Sequence, residues 1–198
     1  MLEQVMLKPE KISLLAKVAR TPSRSRDGSG ESSAPESSSI LSLAAASYGA
    51  RPDAEATVPT GFDPVAVALF EAIVEAAYLV AASDGVVDAE ERDTFERVVS
   101  AACGGAVAPN HVADLVADLV GQLEEDGMDR RIQAVGALIT KRSHAEEVLR
   151  IAALLAQASD SVSDVERQTL VRIAEVCKLK PADVDTALRE VQAALAVA

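Results

Sequence analysis

Two short stretches of this chain gather carboxylates at intervals that could hold a divalent cation. In AASDGVVDAEE, residues 81–91, the candidate ligands are Asp84, Asp88 and Glu91; in ASDSVSDVE, residues 158–166, they are Asp160, Asp164 and Glu166. Calcium and magnesium are the cations such oxygens would suit. Asp84 to Glu91 superposes on the second half of an EF-hand loop, with an acid before the Gly at the bend, an apolar residue two places on and Glu at the end. The first half is missing, because its leading ligand positions fall on Val80 and Ala82. One turn therefore cannot supply the roughly six to eight oxygens that calcium takes. A cation would need both turns to meet at one end of the fold.

The same residues have a second use. Asp88 followed by Glu91 is the reciprocal arrangement that caps a helix N-terminus, contributing about 1 kcal/mol. Gly85 is expected to take a left-handed turn and Asp84 to close it with its own carboxylate. Ser163 with Glu166 repeats the capping spacing in the second stretch. Capping accounts for every residue of the first turn without a metal.

Other chemistry lacks its minimum parts. Cys103 and Cys177 stand alone without a CxxC, which excludes a thiolate zinc site or redox pair and makes both core thiols. His111 and His144 have no carboxylate or Cys at metal or catalytic spacing and read as surface or cap residues. Glu71 and Glu75 read as a solvated helix face, and the DGSG at 27–30 follows no strand and so is no phosphate loop. With no nucleophile paired to a base, a non-catalytic protein is expected.

The elements that carry these turns are helical. At 198 residues, 49% apolar and 25% charged, the chain has the composition of one globular domain with some extra length. From residue 62 onward the apolar spacing is that of about seven helices, with no strand alternation. Asp63 before Pro64 opens the first, Asp88 and Ser163 open two more, Ser143 with Glu146 forms a further capping pair, and Gly127 stops another. Residues 21–61, rich in Ser, Pro and Gly, read as a flexible linker, with an apolar island at 40–49 as a short docking element or none. The linker sets apart residues 1–20, a short amphipathic segment with Ile12, Leu15, Ala16 and Ala19 on one face.

Charge divides the same way. Residues 1–26 hold six basic residues against two acidic, whereas residues 61–198 hold 12 Lys/Arg against 24 Asp/Glu and account for the net charge of −12. The acidic part excludes binding to phosphate backbones, so nucleic acid is not an expected partner. The basic segment is expected to dock outside the domain. Ile12 and Leu15, with Lys11 and Lys17 beside them, would enter a protein groove, while a membrane surface would hold so short a face only weakly. No apolar run reaches the about 20 residues of a bilayer span, and charges interrupt residues 1–20 where a secretory signal needs an apolar stretch, so a cytoplasmic protein, at most peripheral to a membrane, is expected.

Residues 71–102 laid over 146–177 without gaps match Glu71 with Glu146, Ala77 with Ala152, Leu79 with Leu154, Val87 with Val162, Glu91 with Glu166 and Arg97 with Arg172. Each copy is an apolar helix, an acidic turn and a capped second helix, which predicts a compact all-α bundle built from two pseudo-symmetric helical hairpins. An Ala-rich helix ending in ASDGVVDAEE and repeated as ASDSVSDVE resembles the tellurite-resistance protein B (TerB) family and the related N-terminal domain of the DjlA co-chaperone, over residues 64–195. Asp84, Gly85, Val87 and Glu91 match the family pattern; in the second copy Val162 and Glu166 do, while Ser159 and Asp160 stand where Asp and Gly are expected. The resemblance implies an all-helical interaction domain of bacterial metal-stress and membrane-associated assemblies, and a metal site at the acidic positions. Three functions are left open: an interaction or adaptor domain whose acidic face meets a basic protein, with an N-terminal tethered docking peptide; a divalent-metal sensor or buffer using both turns; and a component recruited to a membrane or larger assembly through that N-terminal peptide.

Overall fold

The computed structural model describes residues 8–22, 39–50, 63–85, 87–157 and 162–197. Among them are nine helices and no strand: α1 (Pro9–Arg20), α2 (Ile40–Gly49), α3 (Pro64–Ala81), α4 (Ala89–Ala102), α5 (Pro109–Asp126), α6 (Met128–Leu138), α7 (Arg142–Ala156), α8 (Asp164–Val176) and α9 (Pro181–Val197). The fold is an all-α bundle.

α3 and α7 are its axis. α3 is apolar on nearly every side, and a helix with no polar stripe must be surrounded; α7 is polar over its first turn and buried on nearly every side from Glu147 onward. They pack on each other; α2, α5, α6 and α8 cover α3, and α9 and α8 cover α7. By length and composition α3 could cross a membrane, but 67% of it is buried by the other helices, the signature of a core helix. Local signals set the ends. Asp63 Oδ1 accepts from Val65 N at 2.9 Å with Pro64 at the first position of α3, and Gly127 at φ 77° ends α5 and begins α6. α4 and α8 each end on a cysteine cap followed by a left-handed residue, Gly104 at φ 60° and Lys178 at φ 62°. Around Lys178 the two bonds of a Schellman motif are present, Lys178 N to Glu175 O at 3.0 Å and Leu179 N to Ala174 O at 2.8 Å.

Three expectations are corrected. The helix expected to begin at Ser143 begins at Arg142, which puts Ser143 inside the first turn; Glu146 is held instead by Arg142 Nε at 2.8 Å, and no side-chain cap forms. Gly85 is not left-handed: the positive-φ residues among those described are Gly104, Gly105, Gly127 and Lys178.

The third concerns the N-terminal region, which does not stand apart from a domain starting at 62. α1 lies on α4, α7 and α9, burying Ile12, Leu15, Ala16, Val18 and Ala19, with Leu15 fully enclosed. Residues 40–49 form α2, which buries Leu41, Ala44, Ala45 and Tyr48 against α3, with the Tyr48 and Phe70 rings 4.7 Å apart. Gly49 passes so close to the α4–α5 connection that a Cβ there would lie 1.8 Å from Ala106 O. Apart from Ala16, these apolar side chains belong to one continuous core. The physical reason is burial: each Leu or Ile removed from water contributes about 1.5–3 kcal/mol, which outweighs the cost of closing a connection, since that cost grows only logarithmically with its length.

Candidate functional site

At the α3–α4 turn the carboxylates are engaged in capping. Asp88 Oδ1 accepts from Glu90 N at 2.8 Å and Glu91 N at 2.9 Å, and Glu91 Oε2 accepts from Asp88 N at 2.9 Å, closing a reciprocal box. At the head of α8, Ser163 Oγ accepts from Glu166 N at 3.2 Å and Glu166 Oε2 from Ser163 N at 2.7 Å. Asp84 and Asp164 are exposed, Glu166 is buried, and Asp160 lies outside the described residues. α4 packs chiefly on α1 and α5, and α8 on α6 and α9, so their heads are carried by different neighbours. Among the described residues no three His, Cys, Asp or Glu side chains are grouped as a metal would need.

The four residues expected to meet a partner divide on α1. Ile12 and Leu15 are buried against the bundle, Lys11 is half-buried and Lys17 exposed.

The charged chemistry that sequence reasoning missed is buried in the two central helices. On α7, Glu147 and Arg150 form an ion pair out of water: Arg150 Nε donates to Glu147 Oε2 at 2.8 Å and Nη2 to Oε1 at 2.9 Å. The pair also grips two other helices. Arg150 donates from Nη1 to Val18 O at 3.1 Å and from Nη2 to Ala19 O at 2.9 Å, while Glu147 Oε1 accepts from Leu41 N at 3.2 Å. A cation thus meets the last-turn carbonyls of α1 and an anion the first-turn amide of α2, each the favourable sign for that helix end. Arg20 adds a bond from Nη1 to Ala101 O at 2.6 Å, tying α1 to the end of α4.

On α3, Glu75 is buried rather than solvated. Arg131 of α6 donates from Nε to Glu75 Oε1 at 2.6 Å and from Nη1 to Asp126 Oδ2 at 3.2 Å. Burial pushes the Glu75 carboxyl above its usual range, with the hydrogen bond and charge of Arg131 opposing and Asp126 and Glu71 adding to the rise. Glu75 and Arg150 fall on one another when residues 71–102 are laid over 146–177. That register was the available signal: a charge at the same place among the apolar residues of each helix. Cys103 and Cys177 are buried thiols raised by burial to about 12 and about 11, and so are protonated and unreactive at neutral pH.

Two cavities flank α1. A small apolar cavity of about 20 Å³ lies under Leu15 and Ala19, against Val98 and Val99 of α4 and Ile151 and Leu154 of α7. An open groove of about 570 Å³ runs between α1 and α9, walled by Lys17, Val18, Arg150, Val191, Ala194 and Val197. The outward face of α5 is acidic: Asp114, Asp118, Glu124 and Glu125 are exposed, and Pro109–Asp126 contains neither Lys nor Arg. Compared with protein families, with curated proteins and with solved structures, the chain matches none.

Proposed function

We propose that the chain is a non-catalytic, TerB-like interaction domain that binds a basic protein through the outward face of α5. The carrying observation is that face, four exposed carboxylates on a helix without a basic residue, in a protein of net charge −12. Such a surface attracts a basic partner and sets the rate and salt dependence of the encounter. The turns that suggested a metal support the same reading, because Asp88, Glu91 and Glu166 already cap α4 and α8. They are scaffold.

A repeat architecture finer than two hairpins accompanies this proposal: the helices divide into α1 with α3, α4 and α5, and α6 with α7, α8 and α9, with α2 inserted in the first unit. What supports it is reciprocal packing. α1 rests on α4 and α9 and is gripped from α7 by Arg150; α6 rests on α8 and α5 and is gripped from α3 by Glu75. Each central helix thereby uses one buried charge, at equivalent positions, to hold the opening helix of the other unit.

Affinity capture from the cells that make the protein tests the function. The unchanged chain should retain a basic protein at about 0.1 M salt and release it at about 0.5 M, as screening shortens the reach of exposed charges. Asp114→Lys with Asp118→Lys should abolish retention. Equal retention by both proteins would overturn the proposal.

A further inference from the structure

We infer that the basic protein met by α5 is a second copy of this chain, which offers the corner formed by its α6–α7 and α8–α9 connections. The inference rests on the interaction-domain reading and deepens it by naming the partner.

The corner is a basic place on an acidic body. Residues 136–145 and 176–182 contain Lys141, Arg142, Lys178 and Lys180 and no acidic residue, whereas residues 61–198 as a whole hold 12 Lys/Arg against 24 Asp/Glu. The fold brings the two segments together. α6 and α8 pass so closely that a Cβ on Gly136 would lie 2.7 Å from the Cβ of Val176. Asp183 then joins the two connections, accepting from Lys180 N at 2.7 Å and from Arg142 Nη2 at 3.5 Å. Arg142 is engaged by Asp183 and Glu146, but Lys141, Lys178 and Lys180 are exposed and enter no ion pair among the described residues. Beside them Leu138 is 52% exposed, a large apolar side chain left in water.

Lys178 ties this surface to a use outside the fold. After the cysteine cap of α4 the left-handed residue is Gly104 at φ 60°, which pays no Cβ penalty; after that of α8 it is Lys178 at φ 62°, which does. A strained lysine where Gly would serve the helix points to the work of its ammonium group.

The outward stripe of α5 is the complement. Asp114, Asp118, Glu124 and Glu125 enter no ion pair among the described residues; between them Ala117 and Gly121 are exposed, and a Cβ on Gly121 would meet nothing within 4 Å. These six positions share one helix face about 17 Å long. Lysines can meet its carboxylates while Leu138 covers its small residues, an apolar contact inside a charged rim. Within one molecule the two surfaces stand apart, since α6 leads from the end of α5 to the corner over about 16 Å. Copies therefore add head to tail, each using α5 towards one neighbour and the corner towards another. The charge of −12 on each copy opposes this at long range, but screening over about 8 Å leaves the close pairs to decide.

Sedimentation equilibrium of the full chain tests this. At about 0.1 M salt the mean mass should rise with protein concentration, and at about 0.5 M salt it should return to that of one chain. Lys178→Glu with Lys180→Glu, and separately Asp114→Lys with Asp118→Lys, should each weaken association at least about tenfold, because like charges then face one another. Mixed in equal amounts, the two variants should associate again, since each keeps the surface that the other has lost. Lys178→Gly should weaken association while raising the melting temperature, a combination that loss of folding cannot produce. The mass of one chain at every concentration, or variants that associate as the unchanged chain does, would overturn the inference. If the chain stays single while charge reversal on α5 still abolishes capture from cells, the partner of α5 is a different protein and the interaction reading stands.

Discussion

Replacing Arg150 by Met removes the side chain that ties α7 to α1 and holds Glu147, which in turn bonds α2. Arg150 makes four hydrogen bonds, two to Glu147 and one each to Val18 O and Ala19 O. Met is close in length but donates none. Glu147, 1% exposed, would keep only the amide of Leu41 at 3.2 Å, an almost bare carboxylate in the core. Removing one partner of a buried pair costs about 3–5 kcal/mol, against a total stability of about 5–15 kcal/mol. For a chain of this size that corresponds to a fall in Tm of about 6–20 °C. Urea unfolding followed by circular dichroism measures the loss. Glu147→Leu with Arg150→Met should recover much of it, because no unpaired charge is then buried. A loss below about 1 kcal/mol for Arg150→Met alone is what an exposed pair would give, and would mean that α1 and α2 are not seated as described.

Gly49→Ala should destabilise the chain, because its Cβ would lie 1.8 Å from Ala106 O and backbone cannot yield as a side chain does; an unchanged melting temperature would contradict the seating of α2. Lys178→Gly should stabilise by about 1 kcal/mol, since Lys178 holds φ 62° at the end of α8 and Gly adopts it without a Cβ penalty. Glu75 binds its proton more tightly folded than unfolded, so its contribution lowers stability as pH rises from about 4.5 through the raised native value. Urea midpoints from acid to neutral pH should therefore fall less in Glu75→Gln than in the unchanged chain; parallel curves would refute the burial of that carboxyl.

Helices α3 to α9 were legible because periodicity marks each of them and punctuation agrees at most: Asp63 and Pro64 start α3, Gly127 ends α5, and Ser163 with Glu166 starts α8. The capping use of Asp88 and Glu91 was legible for the same reason, being local chemistry written within four residues. The docking of α1 was not. Its apolar stripe says that something covers Ile12 and Leu15, but the stripe is the same whether the cover is another protein or α4 and α7. Arg150 and Glu147 could have decided between these, as opposite charges three apart in an apolar helix need carbonyl and amide partners from elsewhere. Ser143 and Glu146 illustrate the converse: the capping spacing is present, yet Arg142 takes Glu146 and the helix starts without the cap.

The capping of α4 and α8 by Asp88, Glu91 and Glu166 is what leaves the outward face of α5 as the proposed binding surface. Thermal unfolding of the full chain in chelator and in millimolar calcium or magnesium tests it most directly. Carboxylates engaged in capping bond to backbone amides and need no cation, so the account predicts the same midpoint in all three. A site occupied at 100 times its dissociation constant would add about 2.7 kcal/mol. A rise of several degrees in either cation, lost on Asp88→Ala, would contradict the account and return the turns to metal binding.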